Sequence, residues 1–164
     1  MYSIKNSVAI PFAASPAVIS ALGLPFIEQK ICAGFESPTH DFSVKTLDLN
    51  DLLILNPRST FYSLVEGTCM APAGILDGAV VVTDGSLAVR HMDAVFANFD
   101  GVLTIKHLYK RGGRVKLVPA DSEFPELIPK DWQQLEVLGK VTASIVLFHP
   151  LLAKIRRDKN VCPA

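Results

Sequence analysis

Turn signals recur so closely between residues 77 and 113 that long helices are excluded there. Asp77-Gly78, Asp84-Gly85, Asp100-Gly101 and Gly112-Gly113 separate short runs of apolar and β-branched residues. Asp-Gly and Gly-Gly pairs readily adopt the left-handed backbone that tight hairpin turns demand. Ala94–Phe99 and Val102–Leu108 flank Asp100-Gly101 as one hairpin. Val102–Leu108 and Arg114–Val118 flank Gly112-Gly113 as a second, with a longer loop. Thr60–Glu66, Val80–Thr83 and Val137–Phe148 supply further extended runs. The pattern predicts a compact, mainly β domain, either a sandwich or a partly closed barrel.

The chain ahead of residue 60 is less regular. Asp48 caps a predicted helix over Leu49–Leu55, stopped by Asn56-Pro57. Residues 34–46 have the glycine, proline and polar content of an exposed connector. Residues 1–33 show no strong periodicity, except that Ser15-Pro16 opens a possible short helix over Ala17–Leu22. Val8–Ile27 is largely apolar, but Pro11, Pro16 and Pro25 interrupt it, unlike the clean apolar block of a secretory signal. Leu22, Leu24, Phe26 and Ile27 are expected to pack this arm over the domain, since their exposure would be costly.

With 164 residues, 49% of them hydrophobic and no net charge, the chain has enough apolar content for one domain with an appendage. No basic excess argues for nucleic-acid binding. Positive charge is concentrated only in Lys154, Arg156, Arg157 and Lys159, read as a solvated tail. The apolar run Val141–Leu152 is too short to span a bilayer and is expected as a buried strand. Cys32, Cys69 and Cys162 lack metal-ligand spacing, and their odd number suits a reducing cytosol better than a disulfide framework.

Two short segments carry candidate chemistry. Gly67-Thr68-Cys69-Met70 ends an extended run with a glycine two residues before a thiol. A free cysteine is ordinarily a small buried hydrophobe, but such a turn can expose the side chain and aim backbone N–H groups at a developing oxyanion. Strand alternation places Thr104, Lys106 and Leu108 on one face, with Leu103, Ile105 and His107 on the other. A strand lysine is commonly a snorkelling or edge residue; shielded from water, the same amine can serve as a general base.

Taken together these segments closely resemble the UmuD family of SOS mutagenesis proteins, relatives of the self-cleaving LexA repressor domain and peptidases of the S24 type. Cys32-Ala33-Gly34-Phe35-Glu36-Ser37-Pro38 is similar to that family's cleavage region, and Leu47–Leu53 to the segment after it. Phe61–Met70 resembles the nucleophile strand and turn, and Gly74-Ile75-Leu76-Asp77-Gly78 the glycine-rich step that follows. Thr104-Ile105-Lys106 resembles the strand of the catalytic lysine, and Leu117-Val118-Pro119 the next strand. The resemblance implies a LexA/UmuD-like β domain (β-clip, signal-peptidase-like) over residues 34–164 with a flexible arm over 1–33. It implies a scissile bond at Ala33–Gly34, a nucleophile at Cys69, a general base at Lys106, and an oxyanion site formed by the Thr68 and Cys69 N–H groups. No cofactor or metal is implied. The implied partners are a second copy of the chain, a RecA filament on single-stranded DNA, a UmuC-like Y-family DNA polymerase and the replication sliding clamp. The implied setting is the cytoplasm, without sequence-specific DNA binding and without a membrane.

One position departs chemically: the family has serine where this chain has Cys69. Ala79 stands in place of a common acidic residue, and Asp121 in place of a common asparagine. A thiol gives up its proton about two pH units below an alkylammonium, worth roughly 2.6 kcal/mol toward proton transfer. Sulfur is nevertheless larger and sits differently in a site shaped for oxygen, so slowed or lost self-cleavage is the leading expectation and a working Cys–Lys dyad the second. A Cys–His protease would draw on His40, His91, His107 or His149, whose spacing selects none of them. A LexA-like repressor would need a helix-turn-helix module ahead of Gly34, and a signal peptidase a membrane anchor. The alternative from another class is a non-enzymatic, polymerase-binding regulatory subunit with an inactive dyad.

Overall fold

The computed structural model describes residues 22–28, 44–130 and 132–148. In chain order its elements are β1 (Leu24–Ile27), β2 (Val44–Leu47), α1 (Leu49–Leu53), β3 (Thr60–Leu64), β4 (Val80–Asp84), β5 (Ala94–Phe99), β6 (Val102–Arg111), β7 (Arg114–Val118) and β8 (Leu135–Ile145). A 3-10 turn at Ala71–Ala73 lies between β3 and β4. The fold is mainly β. Strands β3 to β8 form one antiparallel sheet in the order β3-β4-β8-β5-β6-β7, so the last strand in sequence lies at its centre.

Local chemistry explains the turns. Asp100 and Gly101 both take positive φ, 53° and 87°, which closes the β5–β6 hairpin in two residues. Gly112 and Gly113 do the same between β6 and β7, with Arg111 opposite Arg114. The longer loop expected there is therefore replaced by a two-residue turn, because two glycines accept the left-handed backbone without steric cost. β6 accordingly continues past Leu108 to Arg111.

Central strand β8 is irregular. Its register shifts opposite Val82/Thr83 and opposite Phe96/Ala97, and such bulges bend a strand and increase its twist. Between the bulges Gly139 lets β4 approach closely: a Cβ at this position would lie 2.7 Å from the Thr83 methyl and 2.9 Å from the Asp84 carbonyl oxygen. Two apolar clusters form the core. Val65, Met70, Ile75, Ala79 and Val81 make one; Val95, Ala97, Leu108, Leu117 and Val137 make the other.

Ahead of the sheet the structure departs from expectation. Asp48 caps α1 as predicted, its carboxylate accepting from the Asn50 N–H at 2.8 Å. The helix ends at Leu53, since Ile54 is already extended (φ −117°, ψ 96°). Part of the predicted connector is strand β2, which pairs antiparallel with β1. Pro25 is tolerated because β1 is paired on one side only. The expected packing of the arm over the domain is not found for Leu22, Leu24, Phe26 and Ile27, which are 45–65% exposed. Their segment is held by backbone pairing to β2 and by the Leu22 N–H donating to Asp48 at 2.7 Å, rather than by side-chain burial. The last strand spans Leu135–Ile145 rather than Val137–Phe148. The expected helix at Ala17–Leu22 lies largely outside the described residues, as do Cys32, Cys162 and the basic tail. Among the described residues, no helix is long and apolar enough to cross a membrane.

Candidate active site

Cys69 sits in the irregular segment between β3 and the 3-10 turn. Gly67, at φ +100°, reverses the chain there, and its N–H donates to the Asp77 carboxylate at 2.8 Å. The turn is anchored again beyond Cys69. The Cys69 carbonyl accepts from the N–H groups of Ala120 (3.0 Å) and Asp121 (3.1 Å), the Thr68 carbonyl from Ala71, and the Met70 carbonyl from Ile75. Met70, buried in the first core cluster, pins the residue next to the thiol. Among the described residues neither the Thr68 nor the Cys69 N–H donates to a protein acceptor.

Lys106 comes from the middle of β6, opposite Val95, and is only 7% exposed. Its Nζ lies 3.3 Å from Cys69 Sγ, bringing together residues 37 apart in sequence. Among the described residues no carboxylate lies within ion-pairing distance of Lys106. Cys69 packs against the first core cluster, while Val95 and Leu108, which share the Lys106 face, belong to the second. The thiol–amine contact therefore forms where the two clusters meet, with the amine directed at sulfur rather than at solvent.

A groove of about 310 Å³ opens beside Cys69, walled by Leu64, Val65, Phe96, Leu103 and Ile105. Phe96 is held edge-on by Phe61 at 5.4 Å between ring centroids. These walls are largely apolar, although Ser63, Glu66 and Thr104 also reach the groove. They were not singled out in the sequence, because an apolar residue on a strand gives no signal that it lines a groove rather than the core.

The two described histidines, His91 and His107, do not compete for the thiol. His107 Nδ1 lies 3.0 Å from the Met92 carbonyl oxygen, and His91 accepts from the Lys110 N–H and packs edge-on against Tyr109. Among the described residues no histidine hydrogen-bonds Cys69, and no cluster of three or more His, Cys, Asp or Glu side chains could hold a metal. His40, His149, Ala33 and Gly34 lie outside the described residues.

A buried amine thus touches a thiol beside a glycine turn on an antiparallel β scaffold. Residues 25–142 match the family model described as peptidase S24-like. The chain is 35% identical over 129 residues to the protein MucA of Salmonella typhimurium, covering 78% of this chain and 87% of that protein. It is 37% identical over 120 residues to the protein ImpA of Escherichia coli, covering 72% and 80%. To the LexA repressor of Aeromonas salmonicida it is 32% identical over 124 residues, covering 75% of this chain and 59% of the repressor. The chain belongs to the peptidase S24-like family, and these relatives place it with the family's UmuD-like members.

Proposed function

We propose that this chain is a UmuD-like self-processing protein that cuts its own arm at Ala33–Gly34 with the Cys69–Lys106 dyad. Lys106 takes the Cys69 thiol proton as sulfur attacks the Ala33 carbonyl carbon. The oxyanion that forms is met by the Thr68 and Cys69 N–H groups. Lys106 returns the proton to the departing Gly34 nitrogen, and water then hydrolyses the Ala33 thioester, releasing residues 1–33 and regenerating the thiol. The observation that carries this reading is the 3.3 Å contact between Nζ and Sγ.

The family supports the wider role. The protein acts in the cytoplasm as a homodimer whose cleavage is stimulated by a RecA filament on single-stranded DNA. The shortened dimer then serves a UmuC-like Y-family polymerase in error-prone translesion synthesis, in contact with the replication sliding clamp. Sulfur in place of the family's hydroxyl makes cleavage slower than the fold would otherwise allow. Incubating the purified chain with an activated RecA filament tests the reading by mass spectrometry. A fragment beginning at Gly34, absent from Lys106→Ala, is the expected result. An intact arm throughout favours the non-enzymatic, polymerase-binding subunit.

A further inference from the structure

We propose that one face of the β6–β7 hairpin binds the phosphate backbone of single-stranded nucleic acid without reading its sequence. Residues 109–116 read Tyr-Lys-Arg-Gly-Gly-Arg-Val-Lys, with no acidic side chain. The antiparallel register sets Arg111 opposite Arg114 and Tyr109 opposite Lys116. Residues directly opposite share a face, and so do residues two apart along a strand. Tyr109, Arg111, Arg114 and Lys116 therefore project from the same side of the hairpin. Positive charge in this chain is thus not confined to residues 154–159: Lys110, Arg111, Arg114 and Lys116 form a second concentration, and the hairpin sets three of them on one side.

The charges on this face are unequally compensated. Lys116 pairs with Glu126 at 2.7 Å and stands 5.0 Å over the Tyr109 ring. Arg111 and Arg114 are exposed, and among the described residues neither has a carboxylate within ion-pairing distance. Like charges directly opposite each other weaken an antiparallel pair, and an anion lying between them reverses that effect.

The shape of the site selects the anion. Guanidinium groups match phosphate oxygens with paired N–H donors. Gly112 and Gly113 leave the tip without side chains, so a polymer backbone can approach closely. Successive rows on the face are about 6.8 Å apart at the usual rise of an antiparallel strand, so the cations form a track rather than a point. Beside the track runs a groove of about 460 Å³ lined by Tyr109, Arg114, Lys116, Ile128 and Pro129. Its aromatic and apolar wall can receive unstacked bases, which a duplex keeps inside, and this favours a single strand.

The test is fluorescence anisotropy of the full chain with a labelled oligothymidylate over a salt series. The unmodified chain should bind at low salt. Arg111→Ala/Arg114→Ala should bind about tenfold more weakly, with a log–log salt slope shallower by about 1.4, as expected when contacts to two phosphates are lost. Its melting temperature should not fall, and Arg111→Lys/Arg114→Lys should regain the salt slope, which follows charge, with only part of the affinity, since an ammonium lacks the paired donors. The proposal is overturned if the unmodified chain does not bind, or if the alanine variant binds as tightly as it does. Equal or tighter binding of a duplex or of polyglutamate also overturns it, the latter pointing to an acidic protein partner. Loss of binding accompanied by a lowered melting temperature, without recovery in the lysine variant, would assign the arginines a structural role instead.

Discussion

The Gly67 amide donates to the Asp77 carboxylate at 2.8 Å, tying the turn that carries Cys69 to the loop leading into β4. Asp77 touches neither member of the dyad, so its contribution is to the position of the thiol. Asp77→Ala should lower stability by only about 1 kcal/mol, the usual net value of such a bond. It should slow arm cleavage by about 10- to 100-fold, the scale of effect expected when a reacting group is displaced. Thermal melting alongside a cleavage time course distinguishes these effects; equal cleavage rates would remove Asp77 from the account.

Asp84 is 2% exposed at the end of β4 and accepts hydrogen bonds from Asn56, Ser59 and both the N–H and Oγ of Ser86. Burial pushes its carboxyl upward, but the bonds from Asn56, Ser86 and Ser59 outweigh it and hold the group below the ordinary carboxylate range. The folded value lies below the unfolded one, so this stabilisation is full above the unfolded value of about 3.9 and is lost as pH falls through the folded value. Asp84→Asn should destabilise the fold by about 3 kcal/mol near neutral pH and flatten the acid limb of a melting-temperature profile. The limb should persist in part. At Asp93, burial is outweighed by Lys140 together with the Arg90 amide and charge, and at Asp48 the Asn50 and Leu22 amides also lower the carboxyl. An unchanged acid limb in the variant would contradict this assignment.

Gly139 is required by close approach within the sheet rather than by its turn propensity. Gly139→Ala would drive a Cβ toward the Thr83 methyl and the Asp84 carbonyl, forcing β4 and β8 apart. A loss of about 2–3 kcal/mol, typical of overpacking, is expected in denaturant unfolding. An unaltered midpoint would mean that the bulges in β8 absorb the added methyl.

Much of the fold could be read in the residues that impose a backbone conformation. Asp100-Gly101 located a hairpin because both positions need positive φ, and alternation placed Lys106 on the Leu108 face. The contact between Lys106 and Cys69 was not derivable in this way. It depends on β8 entering between β4 and β5, a long-range pairing that no local signal encodes; the family resemblance supplied it instead. β1 and β2 were missed because each is four residues long, and Pro25 and Lys45 break the apolar pattern. The charged face of β6–β7 was missed because strand alternation and the register across the two-glycine turn decide which cations of residues 110–116 share a side, and that register was read as a longer loop.

If Cys69 and Lys106 together cut the arm, restoring oxygen at position 69 should speed the cut. Cys69→Ser, incubated at alkaline pH with an activated RecA filament and followed by intact-mass spectrometry, should release a fragment beginning at Gly34 faster than the unmodified chain. Lys106→Ala in the same background should release none, since Lys106 is the group in contact with the nucleophile. An arm that stays intact in Cys69→Ser, or the same fragment appearing without Lys106, would contradict the account.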